Sequence, residues 1–286
     1  WTYSASGAAL AVNGMMGGGV APLGRGTPNV QGPALGGGLL FVGMTDGHLI
    51  ALDRKTGKLA WDREVGAEAG PNRGGVSASP TYSNGVVYTS LTFDEARYVG
   101  RAVALDAKSG RQLWRWNSVP APGEPGSETW GNDPKVADGQ LWTMGGASVW
   151  LPPVVDERLG TVYFATGNPS PNRAGALRPG DNLYSSSLVA LDAKTGTLRW
   201  HQQFVHHDMW EMDITVPPVA IDFAGGGQHR PALAIMRPDN SVFIIDRETG
   251  KALYPIEERP VPQNPVHATS ATQPFPAGKG DPVHRD

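Results

Sequence analysis

The stretch Val205–Asp213, VHHDMWEMD, sets two imidazoles and three carboxylates around one tryptophan, and nothing like it recurs in the 286 residues. Carboxylates and imidazoles are the side chains that accept protons or hold cations. Upstream, Asn168 in TGNP is a second singular feature, a neutral amide. Two readings of the cluster stand side by side. If the segment is extended, Glu211 and Asp213 face the same way and can work together on a proton or a cation. Alternatively, the His-Asp pair ahead of Trp210 orders a loop.

Between these singular features the text repeats. LIALDRKTGKLAW (49–61), AVALDAKSGRQLW (102–114), LVALDAKTGTLRW (188–200) and VFIIDRETGKALY (242–254) align without gaps. Each is an apolar run, an Asp, a Lys/Glu-Thr/Ser-Gly turn and an aromatic eight residues after the Asp. This is hairpin chemistry: the Asp bonds turn amides, the glycine supplies a positive φ, and the aromatic lands on the return strand to dock against a neighbouring unit. The Asp-to-Asp intervals of 53, 86 and 54 residues approximate the length of a four-stranded propeller blade, with an insertion at Arg115–Thr161.

Composition agrees. Thirty-eight glycines and 25 prolines among short apolar stretches point to strands and tight turns. The expected fold is all-β: about four blades of a larger, eight-bladed β-propeller ring, with residues 1–286 as one partial propeller domain. Residues 255–286 are expected to be a strandless long loop or blade-joining segment. The opening WTY reads as the end of a further copy, so the chain is expected to start inside a blade, with a missing propeller segment as its partner. With 24 basic and 27 acidic residues the net charge is −3, and without a basic run no nucleic-acid partner is expected. The absence of cysteine excludes disulfides and thiolate sites, and no apolar stretch is long enough to cross a bilayer.

The repeats, together with GGASVW, ATGNPSP, RPGDN and VHHDMWEMD, resemble the pyrroloquinoline quinone (PQQ) dependent dehydrogenases, eight-bladed propellers that oxidise alcohols and sugars. The resemblance covers the chain apart from its first 25 residues and its tail. It implies an exported, periplasmic enzyme that uses PQQ and Ca²⁺, or a lanthanide, to oxidise an alcohol, polyol or sugar hydroxyl and passes electrons to a quinone or cytochrome. On that resemblance Trp150 matches the floor under the quinone, and Ser77 and Thr92 match hydroxyl donors to it. Asn168 and Glu95 match the amide and carboxylate metal ligands. Glu211 stands where the family carries its catalytic Asp, with Asp213 as an alternative base or extra metal ligand. Gln31 replaces an arginine of the alcohol-oxidising members. Pro238 falls at the position of a Lys or Arg near the quinone carbonyls, which Arg237 reaches only by a one-residue slip. These departures leave a rival reading, a cofactor-free propeller that binds proteins or an inactive fragment or subunit of such an enzyme.

Overall fold

The aspartate of each repeat builds its turn in the same way. In the first, Asp53 Oδ1 accepts from the backbone of Lys55 (3.0 Å) and Thr56 (2.7 Å) and from the Thr56 hydroxyl (2.8 Å), and Gly57 N–H closes on Asp53 O at 2.8 Å. Asp106, Asp192 and Asp246 repeat this pattern. Each turn reverses the chain after an apolar strand, and successive hairpins build antiparallel sheets.

The computed structural model describes residues 28–29, 31–65, 74–92, 98–131, 141–225 and 228–277. Its first sheet is β1 (Ala34–Gly36), β2 (Leu39–Gly43), β3 (His48–Asp53) and β4 (Leu59–Glu64), paired in sequence order. The second contains β5 (Thr81–Ser83) and β6 (Val86–Leu91), then, past the short strand β7 (Tyr98–Val99), β8 (Arg101–Asp106) and β9 (Gln112–Asn117). β7 instead pairs in parallel with β10 (Gly145–Gly146). The third sheet is β11 (Val154–Asp156), β12 (Thr161–Ala165), β13 (Ser187–Asp192) and β14 (Leu198–Gln203). The fourth is β15 (Val219–Gly225), β16 (Gln228–Met236) and β17 (Val242–Asp246). These are the four expected blades. In the first three, one bulge in the return strand sets the aromatic opposite an alanine: Ala51↔Trp61, Ala104↔Trp114 and Ala190↔Trp200.

Each tryptophan docks on the next blade. Trp61 lies over Gly110, Trp114 over Gly196 and Trp200 over Gly250, so close that a Cβ on any of these glycines would come within 2.7 Å of an indole carbon. These glycines also hold φ of 68° to 73°, so the residue must have no side chain on both counts. Trp61 and Trp114 donate Nε1–H to Ala107 O (2.9 Å) and Ala193 O (3.0 Å). At the third interface the corresponding carbonyl, Arg247 O, accepts from the Tyr163 hydroxyl at 2.7 Å, and the buried Trp200 Nε1 has no partner among the described residues.

Two expectations are corrected. The fourth repeat's return segment is not a full strand; it is reduced to a single bridge, Ile245↔Ala252, and its aromatic, Tyr254, is 52% exposed because no following blade covers it among the described residues. The tail is not strandless either: β18 (Ile256–Pro260) and β19 (Thr272–Pro276) form a hairpin. Pro274 and Pro276 sit at alternate positions of a two-stranded ribbon, where the missing N–H faces the free edge, and Glu257, Glu258 and Arg259 give the strand no apolar alternation to read. The WTY opening lies outside the described residues.

Candidate active site

The segment Gly145–Trp150 is the spine of the site. It runs along residues 167–170 through Gly167 N–H to Ser148 O (2.7 Å), Ala147 N–H to Asn168 O (2.9 Å) and Ser170 N–H to Gly145 O (2.8 Å). On its other side, Val149 N–H bonds Leu91 O (3.3 Å), and the Thr92 hydroxyl donates to Val149 O (3.3 Å). The spine therefore delivers Trp150 between a segment carrying Thr92 and a segment carrying Asn168. Ser77 joins from the second blade, donating to Thr92 Oγ1 at 2.5 Å, and Gln31 Nε2 donates to Trp150 O at 3.3 Å. Four of the sequence-predicted residues, Gln31, Ser77, Thr92 and Trp150, are thus neighbours.

Asp213 comes to the same place. Its Oδ2 accepts from Trp150 Nε1 at 3.4 Å, and a Cβ added to Gly167 would stand 3.2 Å from that oxygen. Glycine at 167 therefore leaves room for a carboxylate directly beside Asn168. The Asp213 carboxyl is buried, and burial, reinforced by the nearby Asp208 charge, pushes its pKa up to about 7 against the opposing Trp150 hydrogen bond. The Asn168 side chain is held, among the described residues, by nothing stronger than a 3.5 Å contact to Pro169 O.

The expectation that Glu211 and Asp213 face the same way is corrected. Glu211 has φ 57°, so the segment is not extended. Its carboxylate turns outward, 45% exposed, to Asn172 Nδ2 (3.5 Å) and Arg173 (3.9 Å). Asp208 imposes this shape: Oδ1 accepts from Trp210 N–H (2.9 Å), and Oδ2 accepts from Met212 N–H (2.9 Å) and the Ser186 hydroxyl (3.0 Å). The histidines do structural work too. His207 lies between Gly180 O (2.7 Å) and His267 O (2.9 Å), and the backbone of His206 exchanges two hydrogen bonds with the Gln273 amide (2.8 and 2.6 Å), clipping the β18–β19 hairpin to the loop.

Arg237 lines a cavity of about 520 Å³ with Trp210, Met212 and the hairpin residues Val261 and Phe275. Its guanidinium is spent on Asp239, on Phe204 O (2.8 Å) and on Pro274 O (2.9 Å), and it stacks on Phe243 and Phe275. Glu95 lies outside the described residues. Sequence reading assigned no role to Arg178, which is fully buried and donates to Pro171 O, Asn172 O, Asp208 O and Asn182 Oδ1. A charged residue inside the singular text LRPGDN was the one available signal.

As a donor set, an amide oxygen and a buried carboxylate beside an indole suit a hard cation, which takes mixed carboxylate and amide oxygens. Among the described residues no cluster of three His, Cys, Asp or Glu forms.

Residues 70–285 match the family model described as the glucose/ethanol/alcohol dehydrogenase PQQ β-propeller domain. The quinoprotein alcohol dehydrogenase PedH of Pseudomonas putida is 35% identical over 77% of this chain and 38% of its own length. The glycerol dehydrogenase large subunit of Gluconobacter oxydans is 34% identical over 84% of this chain and 33% of its own. A solved quinohemoprotein alcohol dehydrogenase from Comamonas testosteroni superposes with a TM-score of 0.71 at 31% identity, covering 88% of this chain and 39% of that one. A europium-containing methanol dehydrogenase gives 0.69 at 26%, over 77% and 40%. The chain thus spans at most two fifths of the length of these relatives. The docked tryptophans, the four blades and the matched domain lead to one conclusion: the chain belongs to the PQQ β-propeller family of the glucose, ethanol and alcohol dehydrogenases.

Proposed function

We propose that this chain contributes a cofactor and metal site to a quinoprotein dehydrogenase that oxidises an alcohol, polyol or sugar hydroxyl, and that Asp213 rather than Glu211 carries the proton. The observation that carries the reading is the Asp213 carboxylate, buried against Trp150 Nε1–H beside the Gly167–Asn168 peptide. Trp150 offers a flat apolar face for a planar ring. Ser77, Thr92 and Gln31 provide neutral polar groups around its edge, and Asn168, the Asp213 carboxylate beside it and Glu95 would hold the cation. When bound, PQQ supplies the two-electron acceptor and the cation supplies Lewis acidity at its carbonyl.

The protein's own part is binding and proton handling. The Asp213 carboxylate, buried against Trp150, takes the hydroxyl proton of a substrate resting over that indole. Glu211, half in solvent and paired with Asn172, is left to the rim. Electrons leave to a quinone or a cytochrome, and a periplasmic location goes with that reading. The relatives' alcohol and glycerol substrates give the class. One observation favours the rival, a cofactor-free scaffold: Arg237 has its donors occupied and Pro238 brings no charge to the quinone carbonyls.

The test is PQQ binding by the full-length protein, followed by absorption with and without Ca²⁺ or La³⁺. Metal-dependent binding that disappears in Glu95→Ala and Asn168→Ala is the expected result. Wild-type protein that binds no PQQ with either metal establishes the scaffold reading instead.

A further inference from the structure

A fully buried guanidinium is tolerated only where its donors are met, and Arg178 meets that condition by joining three stretches of chain. Nε donates to Pro171 O (3.0 Å) and Nη2 to Asn172 O (2.9 Å), on the segment that leads away from Asn168. Nη2 also donates to Asp208 O (2.5 Å), on the loop that carries Asp213. Nη1 donates to Asn182 Oδ1 (2.6 Å), and Asn182 Nδ2 returns a bond to Arg178 O (2.8 Å). The counter-charge is the Asp208 carboxylate, which itself holds Trp210 and Met212. Burial lowers the guanidinium pKa to about 10, with Asp208 opposing the shift, so the group stays charged at neutral pH.

We propose that Arg178 is a positioning residue for the cation site: it locks the Asn168 segment against the Asp208–Asp213 loop so that the amide and the carboxylate converge. The proposal rests on reading Asn168 and Asp213 as cation ligands. No bond from Arg178 touches either residue; it acts on the backbone carbonyls that follow the first and precede the second. Only a planar fork with five donors spans three such stretches, because the lysine ammonium offers three donors from a single point.

The test uses the full-length protein titrated with Tb³⁺, read by luminescence sensitised through Trp150, with thermal melts run in parallel. Arg178→Lys should lower Tb³⁺ affinity by about 10- to 100-fold, as removal of groups that orient metal ligands does. Asn182→Gly keeps the φ of 61° and the other Arg178 bonds, and should cause a smaller loss. Gly196→Ala, at a blade interface away from the site, should lower the melting temperature and leave the affinity of the folded protein unchanged. Wild-type affinity in both Arg178→Lys and Asn182→Gly overturns the proposal, as does an equal loss in Gly196→Ala, which would mean general loosening. If Arg178→Lys does not fold, Asn182→Gly decides. Wild-type protein that binds no Tb³⁺ removes the cation-site reading and this proposal with it, whereas normal wild-type binding with unaffected variants removes the role of Arg178 alone.

Discussion

Replacing Asp213 by asparagine should make the metal-free protein more stable, and only toward neutral and alkaline pH. The carboxyl is buried beside Asp208 and holds its proton up to about pH 7, against 3.8 for the ordinary group. Between those values the folded state keeps a proton that the unfolded chain has lost, so stability falls as pH rises and levels off above the folded pKa. A rise of roughly three units at about 1.4 kcal/mol each corresponds to a penalty of about 4 kcal/mol at pH 8, nearly absent at pH 4. Asparagine keeps the shape and an oxygen for Trp150 Nε1–H but never ionises. Urea unfolding of wild type and Asp213→Asn at pH 4 and pH 8, with chelator present, should show the variant's advantage growing by about 3–4 kcal/mol between the two. Saturating cation should reverse the order, because binding stabilises only the protein that has the ligand. A pH-independent difference, or a variant less stable at pH 8 without metal, would refute the placement of Asp213 in a buried acidic site.

In the full-length protein with an artificial electron acceptor, Asp213→Asn should abolish turnover, whereas Glu211→Gln should retain most of it; the opposite ranking returns the proton to Glu211. Trp114→Phe removes one of the two hydrogen bonds to Ala193 O, leaving only the 3.3 Å bond from the Tyr88 hydroxyl, and should cost about 1 kcal/mol in denaturant unfolding. Trp200→Phe removes a buried N–H that has no partner among the described residues and should be neutral or slightly stabilising. Gly196→Ala places a Cβ 2.7 Å from the Trp114 ring at φ 73° and should destabilise by more than the roughly 1 kcal/mol of an ordinary glycine change.

The blades were legible because their chemistry is local. Asp, Thr/Ser, Gly and the aromatic act within thirteen residues, so the aspartate-built turn follows in all four copies and the same bulge in the first three. The cluster of Gln31, Ser77, Thr92 and Trp150 was proposed from resemblance, and the spine at Gly145–Trp150 explains their approach by main-chain bonds to Leu91 and Asn168. What the local text did not contain was the shape of the loop before Asp213. Asp208 accepts from two backbone amides of its own loop and from Ser186, 22 residues away, and this folds Glu211 outward and Asp213 inward. The tail hairpin was hidden for a related reason: its strands have no apolar alternation and are held through Gln273 to His206, 67 residues distant. Sequence by itself therefore determined the repeating hairpins, whose energetics are short-range. Tertiary structure decided which acid is buried, which arginine ties the loops and where the tail lies, because those outcomes depend on carbonyls and charges supplied by distant segments.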